Sequence, residues 1–244
     1  MAHHNLEAAQ TTPFASASIP YSYRHLALQD GSAVSLETTT GAYSVFVLSL
    51  SQGAQLHFSS LGDAVLEGEA VQIEHLSVSV RVQGGTARLL LAGSPDARHI
   101  APRIERHSAD AIKKVTKPWG HELWIHANHP DYAFKEIFIK AGTKTSLQYH
   151  RFKQETNVLF KGHAVLHYKA DESAPLDHPS TDQMGTLELQ PVSSIDVTPL
   201  VLHRIEACTD ILLYEVSTPF LDDVIRVSDD SNRPDGHIAT EHSA

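Results

Sequence analysis

Short strand patterns repeat along most of the chain and limit its fold more than any other feature of the sequence. They are rich in β-branched and aromatic residues and are separated by turns of glycine, serine, asparagine or aspartate, as in AVSLET, YSVFVLSL, LSVSVRV and TARLLLAG in the first half. Similar segments, such as HELWI, YAFKEIFIK, ETNVLFKG and DILLYEVS, fill the second half. Strands that recur about every ten residues are typical of β-sandwiches and β-barrels. The sequence therefore predicts an all-β protein.

Residues 94–116 interrupt this pattern, because they carry many charges and two prolines. We predict that they connect two β domains and include a short helix at 108–115, which Ser108 would cap. The predicted parts are a β domain at 20–93, the connector at 94–116, a second β domain at 117–228 with a polar loop at 170–183, and a tail at 229–244. The alternative is one larger sandwich in which the N-terminal strands extend the C-terminal sheets.

The segment Gly142–Gly162 contains a candidate metal site. It places Gln148, His150 and Glu155 in the order Gln-x-His-x4-Glu, and His203 follows later in the sequence PLVLH. Since alternate side chains of a strand share a face, two neighbouring strands can direct the first three residues into one cavity, and a third strand can add His203. One amide oxygen, two imidazoles and one carboxylate suit zinc, iron, manganese, cobalt or nickel, whereas a structural zinc site usually contains thiolates.

Chance is the alternative explanation of this motif, because the chain has 17 histidines. His163 and His167 are also neighbours on a predicted strand, but they lack the rest of the pattern. The added glutamine, the two bracketing glycines and the proline before His203 favour a metal site over chance. In the first half, His57 and His75 have no ligand spacing around them.

The overall charge and the cysteine content exclude several classes of function. A net charge of −10 leaves no basic stripe for a nucleic acid, although a small phosphorylated ligand needs only a few local cations. The single cysteine, Cys208, cannot form an internal disulfide and fits a reducing compartment. Neither a signal peptide nor a membrane-spanning apolar run is visible, so we expect a cytoplasmic protein without a membrane partner.

The candidate ligands resemble the two-part signature of the cupin superfamily. Within cupins, the run Ser146-Leu147-Gln148-x-His150 resembles type II phosphomannose isomerases, the C-terminal domains of bifunctional mannose-1-phosphate guanylyltransferase/mannose-6-phosphate isomerases. Three further segments agree with that family: Lys117-Pro118-Trp119-Gly120, the lysine-bearing strand with Phe134-Lys135, and Leu221-Asp222-Asp223-Val224-Ile225-Arg226 near the C-terminus. The resemblance extends over residues 113–237, about half of the chain.

This resemblance implies a double-stranded β-helix, the cupin jelly roll, at 117–228. We expect two barrels (a bicupin) in which the N-terminal barrel is degenerate and lacks metal ligands. The N-terminal barrel would cover an edge of the second barrel or form a homodimer interface.

The resemblance also implies a function, the isomerisation of an aldose to a ketose through a cis-enediol. The substrate would be a sugar phosphate such as mannose 6-phosphate, and one divalent metal, zinc foremost, would be the cofactor. The expected metal ligands are Gln148, His150, Glu155 and His203. The expected catalytic residues are Lys135, Arg226 and Glu215, and the expected substrate-binding residues are Lys144, Ser146, Asn157 and Arg233.

Two of these assignments have structural alternatives, since Lys135 could be an exposed strand lysine and Arg226 could form a surface salt bridge with Asp222 or Asp223. The sequence also departs from the family. Thr156-Asn157 replaces His-Trp, Glu136 replaces a basic residue, and Ser231-Asn232-Arg233 replaces Tyr-Gly-Arg. These departures leave the ligands intact and make the substrate less certain. Two other functions therefore stay open: a non-haem iron dioxygenase using His150, Glu155 and His203, and a sugar-binding cupin without catalysis.

Overall fold

The computed structural model describes residues 2–5, 19–97, 101–170 and 181–238. The strands of the first half are β1 (Ala2–Asn5), β2 (Ser22–Leu28), β3 (Ala33–Glu37), β4 (Ala42–Leu50), β5 (Gln55–Phe58), β6 (Ala70–Glu74), β7 (Ser77–Gln83), β8 (Ala87–Ser94) and β9 (Arg103–His107). Those of the second half are β10 (Lys113–Lys117), β11 (Gly120–His126), β12 (Ala133–Ile139), β13 (Leu147–Tyr149), β14 (Glu155–Lys161), β15 (Ala164–Ala170), β16 (Gly185–Leu189), β17 (Ser193–Val197), β18 (Val201–Ala207), β19 (Ile211–Ser217), β20 (Ile225–Ser228) and β21 (Gly236–His237). The all-β prediction is confirmed.

The chain divides into two compact units. The N-terminal unit comprises Leu6–Lys113 and Trp124–Phe134, and the C-terminal unit comprises Met1–Asn5, Lys114–Leu123 and Lys135–Ala244. Strands β2 to β9 form two sheets of their own, so the alternative of one larger sandwich is wrong for them. Only the short strand β1 extends a C-terminal sheet among the described N-terminal strands, by pairing with β17. That the N-terminal unit is a degenerate second barrel stays a prediction.

In the N-terminal unit, a five-stranded antiparallel sheet (β2-β8-β4-β6-β9) and a three-stranded one (β3-β7-β5) share a hydrophobic core. Strand β7 shows why these sequences form a sandwich: Val78, Val80 and Val82 are buried, and the residues between them are exposed. This alternation places one face of the strand on the core and the other in water.

In the C-terminal unit, one sheet has the order β1-β17-β14-β19-β12-β11-β10 and the other has the order β16-β15-β18-β13-β20-β21. The core residues Ile137, Ile139 and Leu213 come from the first sheet, and Leu166 and Ile205 come from the second. The two sheets therefore carry side chains that meet in one core. The candidate ligands belong to the same two sheets, with Gln148 in β13, Glu155 in β14, His203 in β18 and His150 directly after β13.

The helix predicted at 108–115 is wrong. A three-residue 3-10 turn, Ala109–Ala111, takes its place, and Ser108 makes no capping hydrogen bond with its side chain. The flanking segments instead become β9, which pairs with β6, and β10, at the end of a sheet. Neighbouring strands thus supply backbone hydrogen bonds that a helix this short could not supply, since helix nucleation is costly.

Parts of two other predicted segments lie outside the described residues: 171–180 of the polar loop and 239–244 of the tail. The described part of the tail includes β21, which pairs with β20 through Ile225 and Arg226. Among the described residues, no helix combines the length and apolar character needed to cross a membrane.

The two glycines that bracket the ligand motif have different surroundings. Gly142 (φ +73°) has open space where a Cβ would lie, whereas at Gly162 (φ +91°) a Cβ would lie 2.8 Å from Ile211 Cγ2 and against the backbone of Asp210. We expect Gly142→Ala to lower the free energy of unfolding by about 1–2 kcal/mol, because alanine is strained at positive φ. Gly162→Ala should cost about 1–3 kcal/mol more, because it adds overpacking. Chemical denaturation would measure both, and equal losses would contradict this account.

A buried polar cluster in the N-terminal unit should make the fold acid-sensitive. Ser44 Oγ, His126 Nδ1 and the Tyr132 hydroxyl lie 3.0 Å from one another. Burial, followed by the nearby cations including His129, lowers the pKa of His126 to about 3. The folded state thus favours the neutral imidazole, and its contribution is present above the ordinary pKa of histidine and lost as the pH falls towards 3.

We therefore expect the free energy of unfolding to fall by roughly 1–2 kcal/mol between pH 7 and pH 5 through His126 alone. Thermal denaturation of the wild type and of His126→Gln across this range would measure the effect. The variant should show a shallower dependence on pH, and identical slopes would contradict the assignment.

Candidate metal centre

Three buried side chains from different parts of the C-terminal unit converge on one point. Glu155 begins β14, His203 lies in β18, and His150 directly follows β13. One ligand atom from each lies within 4.8 Å of the others. The Nε2 atoms of His150 and His203 are 3.4 and 3.1 Å from the two carboxylate oxygens of Glu155. The structure thus brings together three of the four predicted ligands in the geometry of a metal site.

Main-chain carbonyls fix the orientation of both imidazoles. His150 Nδ1–H donates to the carbonyl oxygen of Asp223, and His203 Nδ1–H donates to that of Val201 at 2.9 Å. In these neutral tautomers each Nε2 carries the lone pair, and each Nε2 is buried without a hydrogen-bond partner. Burial, followed by the charge of Lys153, lowers the pKa of His150, which keeps its imidazole available as a ligand. The residues therefore fit a divalent cation.

Gln148 lies beside this cluster. In the pairing of β13 with β18 it is opposite His203, and its side chain lines the cavity next to the histidine. Its Oε1 accepts a hydrogen bond from Ser146 Oγ at 2.9 Å. An amide oxygen held in this way is available to a cation, and its role as the fourth ligand stays a prediction.

The sequence analysis missed Lys153. Its side chain is buried, and its Nζ lies 2.6 Å from Glu155 Oε2 and 2.9 Å from Glu215 Oε1. Burial alone would lower the pKa of Lys153, but the two carboxylates outweigh it and raise the pKa. Conversely, burial would raise the pKa of Glu155, but Lys153 and the two histidines hold it well below its usual value. Lys153 precedes β14, which begins at Glu155, so alternation along a strand does not place its side chain beside that glutamate.

A cavity of about 60 Å³ opens beside the cluster and is lined by further charged groups. Lys135 Nζ lies 3.9 Å from Glu122 and 3.9 Å from Glu215. Lys135 is buried and shares the cavity wall with Ile137, so the alternative of an exposed lysine is wrong. Glu215 is opposite Asn157 in the pairing of β19 with β14. Glu122 is a second cavity residue that the sequence analysis missed.

Three of the predicted substrate contacts also line the cavity: Ser146, Asn157 and Arg233. Asn157 Nδ2 donates to Glu155 Oε1 at 3.0 Å, so it supports a ligand. Arg233 forms an ion pair with Asp229, in which Nη2 and Nε both donate to Oδ2, at 2.6 and 3.1 Å. Glu136, by contrast, accepts a hydrogen bond from the Tyr214 hydroxyl at 2.7 Å and is not a lining residue.

The prediction that Lys144 faces the ligands is wrong. Its Nζ lies 3.1 Å from Glu206, and it does not line the cavity. The prediction assumed a continuous strand from Lys144 to His150. Strand β13 is shorter, and its register with β20 shifts between Leu147 and Gln148, so the alternation of faces does not extend to Lys144.

Arg226 is buried and lies opposite Gln148 in the pairing of β20 with β13, so the alternative of a surface salt bridge is wrong. Its Nη1 donates to the carbonyl oxygen of Pro234 at 2.8 Å. It lines an adjacent groove with Lys117 and Arg233 rather than the cavity itself. Of these three cations, only Arg233 borders both spaces.

Comparison with known proteins gave one family and several structures. The family described as mannose-6-phosphate isomerase C-terminal matches residues 104–229. No curated protein sequence matches the chain.

The similar structures include an oxalate decarboxylase of Lactobacillus farciminis in a formate complex, with 12% identity, a TM-score of 0.66, and coverage of 92% of this chain and 88% of that one. An IolB-like protein of Salmonella typhimurium has 10% identity and a TM-score of 0.67, over 88% and 90% of the two chains. A Bacillus subtilis oxalate decarboxylase, studied for its Mn(II) centres, has 10% identity and a TM-score of 0.67, over 92% and 79%. At these identities the likeness concerns the fold alone.

Proposed function

Because the chain belongs to the mannose-6-phosphate isomerase C-terminal family, we propose that it is a metal-dependent aldose–ketose isomerase acting on a sugar phosphate. The predicted cupin jelly-roll fold is confirmed by the similar structures. The observation that carries the proposal is the convergence of His150, Glu155 and His203 beside a cavity with charged acid and base groups.

We propose His150, Glu155, His203 and Gln148 as the ligands of one divalent metal. Zinc suits this mixed set of nitrogen and oxygen donors, and manganese, cobalt, nickel or iron are the alternatives. When bound, such an ion would polarise the oxygens on C1 and C2 of the sugar and acidify the C2 proton.

The residues of the chain would move the protons. Isomerisation removes a proton from C2 and returns one to C1, while the hydroxyl proton on O2 is lost and O1 gains one. We propose Glu215 as the base for the carbon-bound proton, since its carboxylate lines the cavity. The Lys153 ammonium lies 2.9 Å from Glu215 Oε1 and would hold that carboxylate in place through their ion pair. Lys135, on the same wall, would donate a proton to O1 and take up the proton that O2 loses.

The phosphate would lie at the outer end of the cavity. Arg233 borders both the cavity and the groove that Lys117 and Arg226 line. Its planar guanidinium suits bidentate contact with a phosphate. We therefore propose that Arg233 contacts the phosphate directly and that Arg226 contributes from the groove, while Ser146 and Asn157 face the sugar.

A dioxygenase is the second candidate, because two histidines and one carboxylate are also the ligand set of non-haem iron oxygenases. Gln148 argues against it, since a fourth protein ligand would occupy a position that oxygen chemistry needs. The two functions predict different metals and different consumption of oxygen.

The test is elemental analysis of the isolated protein, together with a coupled assay for conversion of mannose 6-phosphate to fructose 6-phosphate. We expect one metal per chain and turnover that a chelator abolishes and added metal restores. Oxygen uptake with Fe²⁺, without isomerisation, would favour the dioxygenase. Sugar binding without turnover in the metal-loaded protein would favour a binding role.

A further inference from the structure

The segment that connects β13 to β14, residues 150–154, carries two side chains on which the metal cluster depends. His150 begins this connecting segment, and Lys153 lies near its end. His150 Nε2 is 3.4 Å and Lys153 Nζ is 2.6 Å from the same oxygen atom, Glu155 Oε2. Since the connecting segment has neither the alternation of a strand nor the period of a helix, its particular backbone path decides whether the two side chains meet at that oxygen.

Asp223 contacts the connecting segment with both its main chain and its side chain. Its carbonyl oxygen accepts a hydrogen bond from His150 Nδ1–H. Its carboxylate oxygen Oδ2 accepts hydrogen bonds from the backbone N–H groups of Phe152 and Lys153, the latter at 2.8 Å. One residue from a distant part of the chain therefore holds both the ring of a candidate ligand and the backbone that follows it.

The position of Asp223 is fixed by the sheet. Asp223 lies two residues before β20, and β20 pairs with β13 through Ile225 and Tyr149. Its own N–H group donates to the carbonyl oxygen of Phe220 at 3.2 Å. The carboxylate is thus attached to the neighbour of the strand that leads into the connecting segment, so it can act as an anchor for that segment.

Other hydrogen bonds hold the two ends of the connecting segment. At its start, the Leu200 N–H group donates to the carbonyl oxygen of His150 at 2.8 Å. At its end, the Gln154 N–H group donates to Thr218 Oγ1, and the Gln154 carbonyl oxygen accepts from the Thr218 N–H group, both at 3.0 Å. The Asp223 carboxylate serves the middle of the segment, where its loss would deprive two successive backbone donors of their acceptor.

We propose that the Asp223 carboxylate is a positioning group of the metal site, which sets the geometry of His150 and Lys153 around Glu155. This role rests on the proposed function, because it takes His150 as a metal ligand. The carboxylate does not line the cavity, so it acts through the connecting segment and not by contact with the substrate. Groups that orient a ligand from outside typically contribute about 10- to 100-fold to metal affinity or activity.

The test compares Asp223→Leu with Asp223→Asn in the full-length protein. Leucine is branched at the same place but has no acceptor, whereas the amide oxygen of asparagine can accept both N–H groups, as Oδ2 does. The main-chain carbonyl that His150 uses is present in both variants. In the metal-free protein, amide hydrogen exchange at Phe152 and Lys153 should accelerate by at least about tenfold in Asp223→Leu and change little in Asp223→Asn.

Titration with Co²⁺, followed by visible absorption, reports on the ligands without the need for turnover. We expect the affinity for Co²⁺ to fall by about 10- to 100-fold in Asp223→Leu and by less than about threefold in Asp223→Asn. Asp210→Leu is the matched control, because Asp210 Oδ1 also accepts a hydrogen bond from a backbone N–H group, that of Ala141 at 2.8 Å, in the same unit. The control should leave the affinity for Co²⁺ and the absorption spectrum unchanged.

Unchanged amide exchange or unchanged Co²⁺ affinity in Asp223→Leu would overturn the positioning role. Equal losses in Asp223→Leu and Asp223→Asn, or an equal loss in Asp210→Leu, would also overturn it, because charge or general destabilisation would then explain the effect. Failure of the wild type to bind Co²⁺ would overturn the metal site together with this role, whereas Co²⁺ binding without isomerisation would overturn the isomerase alone. If Asp223→Leu did not fold, Asp223→Ala, which also lacks the acceptor, would decide.

Discussion

Replacement of His203 by alanine should release the bound metal and abolish isomerisation while the protein stays folded. The imidazole offers its Nε2 lone pair to the site, and Nδ1 is already bonded to the carbonyl oxygen of Val201. Alanine removes one of the two nitrogen ligands, so we expect the affinity for the metal to fall by more than about 100-fold. Elemental analysis after dialysis and the coupled isomerase assay would measure the two losses.

His167→Ala is the matched control for this experiment. His167 lies in the neighbouring strand β15, and its Nε2 also contacts a carboxylate, Glu206, at 2.7 Å. It does not line the cavity, so its loss should leave metal content and turnover unchanged. Full metal content in His203→Ala would mean that the metal, if present, lies elsewhere in the protein.

Replacement of Lys153 by methionine should destabilise the protein more than any change at the surface. The ammonium lies between Glu155 and Glu215, and all three groups are buried. Methionine has a similar volume but leaves two buried carboxylates without this counter-charge. Removal of one partner from a buried ion pair costs about 3–5 kcal/mol, and we expect a loss of that size in the metal-free protein. Denaturation by urea would measure it.

Lys144→Met is the control that shows how much of the loss in Lys153→Met is due to burial of the ion pair rather than to removal of a positive charge. Lys144 also pairs with a glutamate, at 3.1 Å, but both side chains are about one-third exposed. Its loss should change the free energy of unfolding by less than about 1 kcal/mol. Bound metal should partly rescue Lys153→Met, because the cation compensates Glu155. Equal losses in the two lysine variants would show that burial does not determine the strength of the pair.

The strands and the three converging candidate ligands, His150, Glu155 and His203, could be predicted from the sequence, because they depend on local patterns. Alternation along β7 predicts which of its residues are buried in the core. The same spacing of two residues predicts that Lys135, Ile137 and Ile139 share a face, and all three line the cavity. The ligand motif could be recognised because each of its members has a side chain that can bind a metal. Their spacing therefore favours a metal site over chance.

The errors arose where a pattern was extended beyond the strand that produces it. Lys144 was assigned to the cavity by alternation, but β13 begins only at Leu147 and contains a register shift. Residues 108–115 have a helix-like sequence, but the residues directly before them pair as β9 with β6 and so belong to a sheet. Lys153 was missed because its role depends on Glu215, a residue from a distant strand. Such pairings depend on tertiary structure, and spacing along the chain does not reveal them.

The carbonyl anchors of the two histidines have a consequence for how this site can evolve. The groups that hold His150 and His203 in the ligating tautomer belong to the main chain of Asp223 and Val201, and every amino acid provides such a carbonyl. Substitutions that preserve the path of the backbone at these two positions therefore leave the tautomers unchanged. Relatives of this protein can therefore diverge at position 201 without loss of the site. The Asp223 side chain, by contrast, also accepts hydrogen bonds from the backbone N–H groups of Phe152 and Lys153, so a substitution, insertion or deletion there would disturb the segment that carries His150.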